Sequence, residues 1–168
     1  EVRRLMSKRD AAPFQAFLFG QIAKRNDDCL TRGTQMRSNA EAFRGGLASA
    51  LLTKKYADVE MPDFEGVPQV FGKRNPEDLP LNERITELYL LVGECVVRRN
   101  ANATLSFLKT KPFSSASQKA FEALSSSLEG CVPAEISQDI EAERMRGVIA
   151  QAAYYVDLTH ETNEAGAD

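Results

Sequence analysis

Histidine is almost missing from this chain: His160, close to the end, is the only one. A lone imidazole removes a histidine-based nucleophile relay and multi-histidine zinc sites. Cysteine is scarce as well, at three residues with no Cys-x-x-Cys spacing, and neither a nucleophile elbow nor a phosphate-cradling glycine loop occurs. The carboxylate groupings Asp27-Asp28, Glu77-Asp78 and Glu141 with Glu143 fit helix ends and solvated faces, so an enzyme built on carboxylates alone is the least favoured reading. No catalytic, metal or cofactor-binding residue is assigned, and no cofactor is expected.

Long apolar runs are lacking too. A helix needs about 20 apolar residues to span a bilayer, and the longest such stretch, 88–97, is interrupted by Gly93 and Glu94. No membrane span is expected. Nor is there a basic excess: a net charge of −3 and a pI near 5.4 argue against a general nucleic-acid binder. Residues 1–37 are locally basic, which reads as a solvated face rather than a binding patch.

What remains is an ordinary globular composition, 43% hydrophobic and 27% charged over 168 residues. Such a length buries roughly 70% of its unfolded surface. The chain opens on Glu1 rather than methionine, which reads as a fragment or as a protein whose leader has been removed.

Periodicity predicts helices throughout. One over 13–26 presents Phe14, Phe17, Leu18 and Ile22. Ser38 with Glu41 forms a capping box for a helix running to Lys55, with Ala40, Phe43, Leu47, Ala50 and Leu51 inward. Gly45-Gly46 inside that helix cost about 1 kcal/mol each relative to alanine, an expense that close approach of a neighbouring helix would offset. Residues 57–81 contain Pro62, Pro68, Pro76 and Pro80, which exclude a continuous helix. Connections this long are uncommon and often functional. Met61, Phe64, Val70 and Phe71 make this one too apolar for a free linker, and it reads as a strap over the core or a lid. These four are also the candidate partner surface.

Beyond it, Asn82 is the expected cap of a helix over 83–99 with Ile85, Leu88, Leu91 or Val92, and Cys95 inward. A short helix over 101–109 follows. Ser115 or Ser117 caps another to Glu129, with Ala120, Phe121, Leu124 and Leu128 inward. Asp139 caps the last helix, and residues 161–168 read as a frayed tail.

Residues 40–50 return at 142–152. Shifted by 102 positions, Ala40, Glu41, Arg44, Gly45, Ala48 and Ala50 match Ala142, Glu143, Arg146, Gly147, Ala150 and Ala152, and Cys29 falls on Cys131. The expected fold is therefore all-α: two tandem, related helical units packed as a small bundle with a long irregular connector. The first unit spans 1–56 and is truncated at its start, the connector 57–81, and the second unit 82–160.

Arg44 and Arg146 occupy the same place in each unit with a glutamate three residues earlier, which fits a structural clamp or, less readily, an anion site. The same shift puts the counterpart of Cys95 before Glu1. A Cys95–Cys131 bridge would then leave Cys29 as an unpaired thiol; three buried reduced thiols are the alternative.

Three stretches carry a resemblance: Glu94-Cys95-Val96-Val97-Arg98-Arg99-Asn100, Cys131-Val132-Pro133 and Arg146-Gly147-Val148-Ile149-Ala150. They resemble exported helical proteins of sphingomonad-type alphaproteobacteria, whose units run Cys-Val-Val-Arg-Arg, Cys-Leu-Pro and Arg-Gly-x-Leu-Ala-x-Ala. The likeness lies chiefly in the second unit, and the first lacks the opening cysteine. It implies export and paired cysteines, hence a periplasmic or secreted location, with a cytoplasmic one as the alternative if all three thiols are free. It carries over no activity.

The expected function is a non-enzymatic module presenting a helix face or the connector to a protein partner. The alternative is a carrier of a small apolar or anionic ligand between the units, with Tyr154, Tyr155 or Arg146 as polar handles.

Overall fold

The computed structural model describes residues 40–132 and 141–165. They form an all-α bundle of six helices: α1 (Ala40–Lys55), α2 (Leu81–Arg99), α3 (Ala101–Lys109), α4 (Ser115–Glu122), α5 (Ser125–Glu129) and α6 (Ala142–Ala165). None of them is long and apolar enough to cross a membrane. The expected helix over 13–26 and the caps Ser38 and Asp139 lie outside the described residues. The chain divides after Arg44, and the described residues from Gly45 onward belong to one compact unit.

Within that unit the three long helices run the same way. A Cβ placed on Gly45 would sit 2.5 Å from the Gly147 Cα, while ten residues further along Lys55 Nζ reaches Asp157. Both pairs lie 102 residues apart. On α2, Gly93 packs against Val148 and Ala152, and the Tyr89 ring faces Arg144. Rising numbers on α1 and α2 therefore meet rising numbers on α6.

Small residues make this possible. Gly45, Gly93, Ala150, Ala152 and Ala153 are buried where backbones approach, and Leu52, Val96, Val97, Met145, Ile149 and Val156 fill the space between them. The inner face of α1 is thus Gly45, Ala48, Leu52 and Tyr56, one residue round from the face over 47, 50 and 51 that hydrophobicity suggested. Backbone contact at Gly45 fixes the rotation, and Ala50 turns to solvent.

Parallel neighbours cannot be joined by a tight turn, so the chain must be carried back along the bundle twice. Residues 57–80 make the first return beside α2, whose 19 residues span about 28 Å. The second starts down α3, which ends against Arg146 near the start of α6, while α4 and α5 lead back up to Gly130 and Cys131 beside Arg99 and Cys95. Asn100 separates α2 from α3 and caps α3, its side chain accepting from the Ala103 N–H. The predicted helix to Glu129 is broken at Ala123-Leu124, and its cap is Ser114 rather than Ser115 or Ser117. Helix α2 begins at Leu81 after Pro80, not at an Asn82 cap, because proline ends the strap already set for a first helical turn. Helix α6 continues to Ala165, five residues into the stretch expected to fray.

The glycine crossing yields a paired prediction. Gly45→Ala should destabilise the protein by about 2–3 kcal/mol, because the new methyl meets backbone that cannot yield. Gly46→Ala, with nothing within 4 Å of its Cβ position, should stabilise it by about 1 kcal/mol. Denaturant midpoints of the two variants measure both.

Candidate functional site

Helix α2 grips the strap with charged side chains. The N–H groups of Val70 and Phe71 donate to the two carboxylate oxygens of Glu94, each at 2.9 Å, and Gly72 N–H donates to Glu87 at 2.7 Å. Gly72 has φ 74°, which a larger residue rarely adopts. One turn beyond Glu94, Arg98 donates to the carbonyls of Phe64, Val67 and Pro68 (3.0, 2.8 and 2.9 Å) and back to Glu94. Arg84 holds the strap's far end through the carbonyls of Leu79 and Glu77, and Asn102 accepts from Met61 N–H.

An irregular segment laid on a core carries backbone groups that must find partners. Here a helix supplies them. Glu94 and Glu87 are buried, which is tolerable because both accept hydrogen bonds and Arg98 stands beside Glu94.

Arg146 is a second hub. Its Nε pairs with Glu143 at 2.9 Å, Nη1 donates to the carbonyls of Phe107 and Leu108 at the end of α3, and Nη2 donates to the hydroxyls of Thr110 and Ser117. The guanidinium also lies 4.2 Å from the centre of the Phe107 ring. With every donor nitrogen engaged by protein, the arrangement is that of a clamp. Glu143 completes it, accepting from the Ser117 hydroxyl and the Phe113 N–H. Burial pushes the Glu143 carboxyl up, but Ser117, Phe113 and Arg146 outweigh it and hold it below the usual carboxylate value.

The clamp fixes an unusual turn. Ser114 N–H donates to the Lys111 carbonyl around Pro112 and Phe113, and Phe113 adopts φ 59°. A turn with proline second and positive φ third is normally given glycine or asparagine at the third place. Here that place carries a phenylalanine whose surface is 87% exposed.

A third cluster joins the C-terminal end of α1 to Asp157, two turns before the end of α6. Buried Asp157 accepts from the Tyr56 hydroxyl and from Lys55 Nζ (2.8 and 2.6 Å), and Lys55 also pairs with Glu161. His160 stacks edge-on to Phe64 nearby. Burial and the hydrogen bond to Asp157 push the Tyr56 phenol up to about 12. Burial alone would lower the Lys55 ammonium, but Asp157, Tyr56 and Glu161 carry it above its usual value.

Cys95 and Cys131 are joined in a disulfide that ties the C-terminal turns of α2 to the chain just after α5. Cys29 lies outside the described residues. Arg44 is partly buried on α1. The expected partner surface on the connector is overturned: Met61, Phe64 and Phe71 are core residues, at most 4% exposed, and Val70 is half-buried. They face inward because α2 takes the strap's backbone. Tyr155 is buried against Phe71, with Tyr154 edge-on to it. On α2, Ile85 and Leu88 were expected inside and are exposed, as is Leu81.

Sequence reasoning missed Phe113 altogether, although Lys111-Pro112-Phe113 carried the signal of a turn without the glycine it calls for. Comparison with protein-family models, curated proteins and solved structures gives no match.

Two predictions follow from these clusters. Glu94→Gln sets an amide NH2 against a strap N–H and leaves Arg98 without its counter-charge. It should cost about 3 kcal/mol in denaturant unfolding and make residues 57–81 the first site of limited proteolysis. The fold also favours the protonated forms of Tyr56 and Lys55, so their contributions are fully present below pH 10 and fade as the pH rises toward 12. Tyr56→Phe should make that alkaline loss shallower, read from unfolding free energies across the interval.

Proposed function

We propose that the chain is a non-enzymatic, exported interaction module that binds a protein partner through the turn carrying Phe113. One observation carries this reading. Phe113 buries almost nothing and holds a left-handed backbone conformation that costs a non-glycine residue about 1–2 kcal/mol. Its ring therefore does nothing for the fold that glycine would not do better. A rigid, exposed aromatic on a turn pinned by Glu143 is what an interface anchor requires, since a preorganised side chain loses little freedom on binding.

The surroundings of the turn support the same reading. Lys109, Lys111 and Lys119 are exposed, and residues 109–121 include no acidic side chain, in a chain whose net charge is −3. Export is supported by the Cys95–Cys131 bridge, since such bonds persist in oxidising compartments, and by the resemblance to exported sphingomonad-type helical proteins. A duplicated origin is supported by the pairs Gly45–Gly147 and Lys55–Asp157, in which each residue of one helix meets the residue 102 positions on.

Phe113→Gly separates anchoring from folding. It should raise unfolding stability by about 1 kcal/mol while abolishing retention of the partner by the immobilised protein in an extract of its native compartment. Unchanged retention, or a loss of stability, would sink the reading.

A further inference from the structure

The disulfide lies at the edge of the bundle rather than in its core. Cys95 and Cys131 are both partly exposed, so a thiol in solvent can reach the bond. Exchange at a disulfide needs that access, and it runs faster when the departing sulfur is stabilised as a thiolate by a nearby cation. Arg99 is that cation. It stands one turn after Cys95 on α2, and its guanidinium lies over Gly130, the residue before Cys131: a Cβ placed there would fall 2.0 Å from Nη1. Gly130 has φ −83° and ψ −6°, which any residue adopts, so what the glycine supplies is room for the guanidinium.

What the bond holds is small. Helix α5 has five residues, begins at Leu124 without a side-chain cap, and packs on α2. A helix this short does not persist in water on its own. The other fastenings do without sulfur: Glu87, Glu94 and Arg98 hold the strap, and Glu143 with Arg146 holds the Phe113 turn and the start of α4. Opening the bond therefore frees one edge and spares the rest.

We infer that the Cys95–Cys131 bond is a redox switch: a dithiol reductant opens it in the folded protein, Arg99 stabilises the departing thiolate, and α5 then separates from α2. The reductant's first thiolate attacks one cysteine sulfur, the S–S bond breaks, and its electron pair leaves on the other cysteine. The reductant's second thiolate then attacks the reductant sulfur of the mixed disulfide and releases the first cysteine. The reductant ends as a disulfide, and both cysteines end as thiols carrying the two protons it gave up. In an oxidising compartment the bond stays closed until such a reductant is delivered. The switch is independent of the partner reading, because the Phe113 turn is fixed from Glu143.

The experiment treats the folded protein with dithiothreitol in native buffer, follows loss of the bond by alkylation and mass spectrometry, and maps hydrogen exchange in both redox states. The bond should open without denaturant. Arg99→Gln should slow the opening roughly threefold, because the departing thiolate loses its cation, and Arg99→Lys, which keeps the charge, should restore most of the wild-type rate. In the reduced protein the amides of Leu128, Cys131 and Val132, which bond to the Leu124 and Leu128 carbonyls, should exchange at least ~10-fold faster. Those of Val70 and Phe71, held by Glu94, should keep their protection. The double variant Cys95→Ser with Cys131→Ser should show the reduced pattern without any reductant.

A bond that yields only once the protein is denatured, an Arg99→Gln rate equal to the wild type's, or exchange that on reduction rises throughout the chain or not at all, overturns the switch.

Discussion

Three long helices pointing the same way set the terms for everything else in this protein. Helices α1, α2 and α6 can lie this close only because Gly45, Gly93 and the alanines of α6 let backbones meet. Having met in parallel, they cannot be linked by short turns. The proline-rich strap is one return path and α3 begins the other, while α4 and α5 run back up beside α2 to the Cys95–Cys131 bond.

A return path without regular structure brings its own difficulty, since its N–H and C=O groups cannot pair with each other. The answer here is to turn charged side chains inward. Glu87 and Glu94 accept what the strap donates, and Arg84 and Arg98 donate to what it exposes. Arg146 does the same for the last carbonyls of α3. Buried charge is thus used as a backbone fastener, and its desolvation cost is offset by hydrogen bonds on every side. The chain's ionic residues in these clusters face the protein itself.

This explains which features could be read in the sequence. Helix positions came through because prolines and period are local: the limits of the 101–109 helix stood as written, and the glycine of α1 was recognisable as a point of close approach, whereas the caps expected at Asn82 and at Ser115 or Ser117 did not hold. Helix faces came through badly. On α2 the apolar spacing brought Ile85 and Leu88 in, and the structure leaves both exposed and buries Glu87 and Glu94 instead. The apolar connector residues were legible as buried material or as bait, and only the position of α2 decides between them. Phe113 escaped because an exposed aromatic has no periodicity to betray it. Its oddity appears once the turn's backbone is known. Asp157 escaped because its partners Lys55 and Tyr56 lie about a hundred positions away.

The two return paths also bear on how fast the chain can find its structure. Bundles whose helices alternate up and down draw most of their contacts from near neighbours in sequence and fold quickly, whereas pairing distant segments means closing large loops before any reward arrives. Every contact between α1 and α6 spans about a hundred residues here, and the Cys95–Cys131 bond cannot close until α3, α4 and α5 have been laid down. An all-helical protein of this topology is expected to fold more slowly than an up-and-down bundle of the same length.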